Sequence, residues 1–345
     1  MNRYDELFNF RMATVDDIDA IMEYIEYNWR EDHILAVNRD FFIWMYGNSC
    51  FNDDQTVNFV LMEDKNGNIK GLNGFVVYSN ERGRLDVSSA ITKVSADVEV
   101  PFAGVELIKR FHDIVGARRY YSYGTNPDTM LPLGKRIFKY DTGLVSQYYM
   151  LNPEITDYKI AEIRNKAVSG VQRDDSRLIE AKDIETIDQY FSYSDYNNQG
   201  YKSREFLKHR YFDHPVYKYE AYLVEKNGTI IPDFVMIGRT MIVNGSTAFR
   251  IVDVLGNLDS LCDVSGAVYS FIIEKGHEYA DLVCCGMDQN VMEKAGFVLR
   301  MEDENVIPHY FEPFERKNIN LWYQKSDNDV VIFKADGDQD RPNKI

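Results

Sequence analysis

Four cysteines in 345 residues, no long apolar run and no excess of basic charge remove several classes of protein at once. Cys50, Cys262, Cys284 and Cys285 show no C-x-x-C spacing, and the adjacent pair is poorly suited to a mutual bridge. A disulfide scaffold is excluded, and reduced thiols in a cytoplasmic setting are expected. No stretch approaches the roughly 18–20 apolar residues of a membrane span. The opening MNRYDELFNF lacks the apolar core of a signal peptide, so none is expected. Net charge is −16, without the basic face that a nucleic-acid binder needs. Metal chemistry also lacks its patterns. His209 and His214 stand five apart with no H-E-x-x-H, so no zinc site is expected. Asp336, Asp338 and Asp340 alternate like the start of a calcium loop, but Arg341 stands where such a loop needs glycine. What remains is a globular chain, 45% hydrophobic and 27% charged, long enough for two cores.

The chain repeats itself. Asp17-Ile18-x-x-Ile21-x-x-Tyr24 returns as Asp183-Ile184-x-x-Ile187-x-x-Tyr190. Arg39-Asp40-Phe41-Phe42 and Tyr46 return as Arg204-Glu205-Phe206-Leu207 and Tyr211. Asp64-Lys65-Asn66-Gly67 returns as Glu225-Lys226-Asn227-Gly228, and Gly104 and Gly124 return as Gly266 and Gly286. The offset of roughly 160 residues is too long for a solenoid repeat and suits a whole domain. Residues 1–152 and 176–345 are therefore expected to be two similar domains, with 153–175 a polar linker. Each is expected to be α/β with a mixed sheet, in the order β-α-α-β-β-β-α-β-α-β. In the first copy the strands fall at Phe8–Met12, Val57–Met62, Ile69–Tyr78, Leu85–Lys93, Arg119–Tyr123 and Leu144–Leu151. Helices are expected from Thr14, over Arg39–Tyr46, over Gly104–Val115 and over Asp128–Ile137; in the second copy the late helices fall at Gly266–Tyr279 and Gln289–Ala295. Asn-Gly turns close the hairpins.

This order, twice, resembles the GNAT acyltransferase superfamily. Ala13 to Ile25 looks like its opening strand and helix. Gly124-Thr125-Asn126-Pro127 and Lys294-Ala295-Gly296-Phe297 look like its fifth-strand end and its late helix-to-strand junction. Narrower phrases, Trp29-x-x-Asp32-His33-Ile34-Leu35-Ala36, Tyr148-Tyr149-Met150-Leu151-Asn152, Pro308-His309-Tyr310-Phe311-Glu312-Pro313 and the segment 336–343, resemble tandem-GNAT N-acyltransferases acting on nucleotide-linked amino sugars. The resemblance implies transfer from acyl-CoA to the amine of a dTDP-linked dideoxy amino sugar, in the making of surface polysaccharide such as lipopolysaccharide O-antigen. The acyl group is acetyl or larger, 3-hydroxybutanoyl for example. Both implied partners are small molecules; homo-oligomerisation is left open. One rival is an aminoacyl- or peptidyl-transfer pair of cell-wall type, which would use a charged tRNA. The other is a degenerate pair that binds a ligand without catalysis.

Site residues follow from the same resemblance. Acyl-CoA in this superfamily sits on backbone N–H groups at a Q/R-x-x-G-x-G/A turn opening the third helix, and an uncapped helix start suits an anion. Glu99, Phe102 and Gly104 stand there in the first copy, and Leu261, Val264 and Gly266 in the second. Both are degenerate. Pro101-Phe102-Ala103-Gly104 before an amphipathic helix favours the first copy, with the second kept as the alternative. Lys93 and Val94 would polarise the thioester carbonyl, and Asn126 would bond the pantetheine arm. The usual late-helix tyrosine is replaced by Leu133 and Met292, neither a proton donor. His33 and His309 are the candidate bases, because imidazole titrates near neutrality. Tyr310, Phe311, Glu312, Asp338, Asp340 and Arg341 combine rings, acceptors and a planar donor fork suited to a nucleotide sugar.

Overall fold

The computed structural model describes residues 2–47, 55–79, 81, 83–166, 174–196, 198–302, 305–337 and 340–343. Asp338 and Cys50 lie outside them. Two mixed sheets organise the chain, the α/β architecture expected. The first has seven strands in the order Phe8–Thr14, Thr56–Asp64, Ile69–Val77, Asp86–Val94, Arg119–Tyr123, Trp322–Lys325 and Asp141–Leu144. The second has Thr229–Ile230, Glu220–Lys226, Phe234–Val243, Ser246–Gly256, Tyr279–Cys285, Ser146–Leu151 and Val298–Leu299, with Arg177–Ala181 and Ile332–Phe333 pairing off this path.

The duplication is local as well as global. Each half has a short helix running into a wide turn, Arg39–Phe42 into Ile43–Gly47 and Arg204–Leu207 into Lys208–Phe212. Asn227 and Gly228 both have positive φ, 53° and 73°, as a tight hairpin turn requires. In the first half the helix Ala103–Val115 lays Leu107 and Phe111 on Phe75 and Val87, while Ile18–Asn28 covers Phe59, Leu61 and Ile91 from the other face. The second half repeats this with the helix Ser265–Lys275. That helix is shorter than the expected Gly266–Tyr279, because Gly276 caps it at φ 68° and Tyr279 already starts a strand. The helix expected over 128–137 is four residues, Met130–Leu133, continued by the wide turn Gly134–Phe138. Pro132 within it lacks the N–H that a longer α-helix needs.

The halves exchange strands. The segment expected as one strand from Leu144 to Leu151 is two, and the chain changes sheet at Val145. Asp141–Leu144 closes the first sheet; Ser146–Leu151 runs antiparallel to Tyr279–Cys285 in the second, from Tyr279↔Leu151 to Cys284↔Ser146. In return Trp322–Lys325 enters the first sheet between Arg119–Tyr123 and Asp141–Leu144. A shared core of Tyr78, Tyr121, Tyr123, Leu255, Val283 and Ile332 fills the space between the halves. The described part of 153–175 also packs: Ile160 and Ala161 are fully buried against Tyr149 and Ile307, and Glu162 bridges to Val306. No helix among the described residues is long and apolar enough to cross a membrane. None of their His, Cys, Asp and Glu side chains form a group of three or more able to hold a metal ion.

Candidate active site

Strands Asp86–Val94 and Arg119–Tyr123 are parallel, yet pair only from Asp86↔Arg119 to Ser88↔Tyr121. The cause is visible one residue pair later. Gly74 faces Ile91 and Phe75 faces Ser89, so Ala90 is an extra residue, a bulge that bends its strand away. The opening between the two strands is a cavity of about 420 Å3. Ser89, Ala90 and Thr92 line one wall, and Ser122 to Asn126 the other; Trp29, Trp322 and Arg341 close it. Gly124 turns the chain there at φ 76°. Asn126 is exposed; its carbonyl oxygen accepts from the amides of Asp128 (2.9 Å) and Thr129 (3.1 Å), which holds the turn and leaves its NH2 unengaged among the described residues.

At the far end of the first of these strands, Lys93 and Val94 lie beside the helix Ala103–Val115. Phe102 precedes the helix in the left-handed region, φ 60°, and no side chain caps the helix start. A Cβ on Gly104 would meet only Val94 Cγ2, at 3.8 Å. The Ala103 amide donates to the Val100 carbonyl at 3.3 Å, so among the described residues the turn presents the amides of Phe102 and Gly104 beside open space.

The second copy opens its strands in the same way and then fills the gap. Ser246–Gly256 and Tyr279–Cys285 pair in parallel from Phe249↔Ala280 to Ile251↔Leu282, and Val252 is the bulged residue. Beyond it the strand Ile332–Phe333 pairs with Cys284 and Cys285 and occupies the space. Beneath it Lys202 Nζ lies 2.7 Å from Asp253 and 2.6 Å from Asp336. The Tyr211 hydroxyl donates to Asp253 at 2.5 Å. At the helix start, a Cβ on Gly266 would collide with the Asp174 carboxylate. An internal anion thus stands where the first copy is open.

A second cavity, of about 350 Å3, brings the C-terminal residues together. His309, Tyr310, Phe311, Glu312, Asp340 and Arg341 all line it, together with Arg30, Arg239, Arg250 and Lys334. Five of the six residues expected to bind the sugar therefore share one space; the sixth, Asp338, is outside the described residues. Arg341 borders both cavities, while Trp29 lines the first and its neighbour Arg30 the second. Burial alone would raise Asp340; Arg239, then Lys334 and Arg210, hold it below the usual carboxylate range.

The two histidines differ. His33 lines neither cavity. Its ring is 3% exposed, and its Nε2 lies 2.9 Å from Arg341 Nη2. Burial first, then Arg341 and Arg30, pushes it down to about 3. A base that weak takes little from an ammonium group at neutral pH; its position is that of a prop for Arg341. His309 is buried in the second cavity with Nδ1 unpartnered among the described residues. Burial, then Lys334 and Arg250, keeps it neutral.

Sequence reasoning missed Tyr123, Gln324, Arg239 and Lys334. Tyr123 is 3% exposed and lines the first cavity with its hydroxyl unpartnered among the described residues; burial pushes its pKa well above the ordinary value, so it keeps its proton. Its place at the end of the fifth strand was the one available signal. Met292, at one of the expected tyrosine positions, is fully buried.

No family model and no curated protein matches the sequence. Solved structures do. The chain is similar to a GCN5-related N-acetyltransferase from Anabaena variabilis ATCC 29413, with TM-score 0.54 and 9% identity over 92% of this chain and 72% of that one. It is equally similar to a conserved protein of unknown function from Enterococcus faecalis V583, designated a probable N-acyltransferase, with TM-score 0.53 and 9% identity over the same shares. At this identity the likeness defines the fold: the GCN5-related N-acetyltransferase fold, present twice.

Proposed function

We propose that the chain is an N-acyltransferase whose first copy holds acyl-CoA and whose second cavity holds the acceptor. The observation that carries this reading is the contrast between the copies: the strands are open around Ala90 and blocked by Ile332–Phe333 around Val252. CoA would lay its pantetheine arm between Ser89–Thr92 and Ser122–Asn126, with its pyrophosphate at the turn Phe102-Ala103-Gly104, on the amides of Phe102 and Gly104. Lys93 and Val94 lie on the strand edge that would polarise the carbonyl. The acceptor is the amine of a nucleotide-linked amino sugar, dTDP-linked in our reading, with Tyr310, Phe311, Glu312, Asp340 and Arg341 around it. Arg341 on the border of both cavities supports bringing the two substrates into contact.

The amine nitrogen attacks the thioester carbon, the C–S bond breaks, and CoA leaves as thiolate. Positioning supplies most of the acceleration. With Leu133 and Met292 at the expected tyrosine positions, the Tyr123 hydroxyl is the protonated group best placed to meet the thiolate. His309 lines the second cavity with an Nδ1 unpartnered among the described residues, so it can hydrogen-bond the incoming amine, but burial and the cations beside it make it, like His33, a weak base; the amine has to arrive as the free base. Thiol release on mixing acetyl-CoA or 3-hydroxybutanoyl-CoA with dTDP-amino sugars tests the reading. Tight binding of both substrates with no thiol release would leave a ligand-binding pair instead.

A further inference from the structure

In an acidic chain of net charge −16, the second cavity is an exception. Five cationic side chains line it against three carboxylates. Most of those charges already have partners. Glu312 accepts from the Tyr217 hydroxyl at 2.7 Å, and Glu315 pairs with Lys317 at 2.6 Å. Arg250 is spent on Asp281, at 2.7 Å, and on the carbonyls of Pro308 and His309.

Two of the buried cations keep donors to spare. Lys334 is 3% exposed and makes no hydrogen bond or contact ion pair among the described residues; its Nζ lies 5.8 Å from the centre of the Tyr310 ring, and Asp340 and Asp281 act on it only at longer range. Arg239 lies over the Tyr217 ring, 3.5 Å from its centre, and pairs with Asp340 at 3.4 Å through one nitrogen. Its Nε is buried and has no hydrogen-bond partner among the described residues. A buried ammonium without a contact partner is costly, and unpartnered buried donors call for an explanation. Burial, reinforced by Arg250, pulls Lys334 down only to about 8, so it still carries its proton at neutral pH. A single carboxylate would be satisfied by the Arg239 fork alone. Lys334 and Arg239, with Arg30 and Arg341 lining the same space, suit a group bearing more than one negative charge.

We propose that Lys334 and Arg239 bind the diphosphate of a nucleoside diphosphate in this cavity. This rests on the acyl-transfer reading only for what lies beyond the diphosphate; the anion site itself stands on the spare donors of Lys334 and Arg239.

The probe is dTDP, without sugar or amine, titrated calorimetrically into the full-length protein. Wild type should bind dTDP, and inorganic diphosphate should compete while succinate should not. Lys334→Met should weaken dTDP about 10- to 100-fold, the scale of a lost charged hydrogen bond. Acyl-CoA affinity should be unchanged. Methionine keeps the stem and removes a buried charge, so folding should survive. Arg239→Lys provides a second variant, with a similar loss expected from removing the fork. Thymidine binding as tightly as dTDP, succinate competing in place of diphosphate, or both variants binding dTDP like wild type would each overturn the proposal. Transfer to a dTDP-amino sugar with unchanged KM in Lys334→Met would overturn it while leaving the acyltransferase reading intact. Lys334-dependent dTDP binding without transfer to any amino sugar would uphold it and sink that reading instead.

Discussion

Replacing Gly104 with glutamate tests where CoA sits, and the structure sets the scale. Gly104 is the second residue of the helix Ala103–Val115, and a Cβ there meets only Val94 Cγ2 at 3.8 Å. A side chain can therefore be added without disturbing the core. A carboxylate in the first turn of a helix stabilises it by about 0.3–1 kcal/mol, so the variant should unfold no earlier than wild type. Bound CoA would feel the opposite. A unit charge about 5 Å from a phosphate repels it by about 0.8 kcal/mol in water and about 3 kcal/mol at an effective dielectric constant near 20. A middle value of about 2 kcal/mol weakens Kd roughly 30-fold. The loss should shrink as salt is raised, because exposed charges are screened. Calorimetry with acetyl-CoA at low and high salt, beside thermal unfolding, reads both effects. A folded Gly104→Glu protein with wild-type affinity for CoA would show that the turn 102–104 does not hold the pyrophosphate.

Two further outcomes follow from buried charge. Lys202→Met strips the ammonium from Asp253 and Asp336 and should destabilise the fold by about 3–5 kcal/mol in denaturant titration. Burial, against the pull of Lys202, already holds Asp253 up at about 6; a carboxyl raised in the folded state costs stability as pH climbs past its unfolded value, so the variant should recover on acidification from pH 7 toward 4. His33→Asn should raise KM for the nucleotide sugar, by loosening Arg341, and leave kcat within a few-fold. A kcat fall near 10²-fold with a displaced pH profile would instead mark His33 as the base.

The duplication was legible because its markers obey local rules. Asn227-Gly228 needs positive φ wherever it sits, and Asn38, Asp183 and Ser203 cap the helices that follow them through their own side chains. The strand exchange was not legible, since partner choice is non-local. Val145 is apolar with no turn residue beside it, so Leu144 to Leu151 reads as one strand although two sheets divide it. In the site, the mixed chemistry of Tyr310 to Glu312 and of Asp340 and Arg341 was a readable signal. Arg239 and Lys334 gave none: each sits in or beside an ordinary apolar strand, and only the fold shows that they face a common space.

The second copy tells most about what the chain can do. A duplicated fold begins with two equivalent openings, and here one has become a joint. Ile332–Phe333 fills it, the Gln199 carboxamide bonds the Gly256 backbone across it, and the Tyr78 hydroxyl of the first half donates to the Asp336 carbonyl. Asp174 stands at its helix start. Emptying this gap would uncover Phe333 and the Lys202 cluster together, at a cost well beyond the binding energy of a weak ligand; loss of a buried phenylalanine alone is about 3–5 kcal/mol. The same segment then leads to Asp340 and Arg341, which line the second cavity, and Arg341 borders the first as well. One acyl-CoA per chain is therefore expected in calorimetry or native mass spectrometry. Two acyl-CoA molecules bound per chain with comparable affinity would mean that the joint opens, and the division of labour between the copies would fall with it.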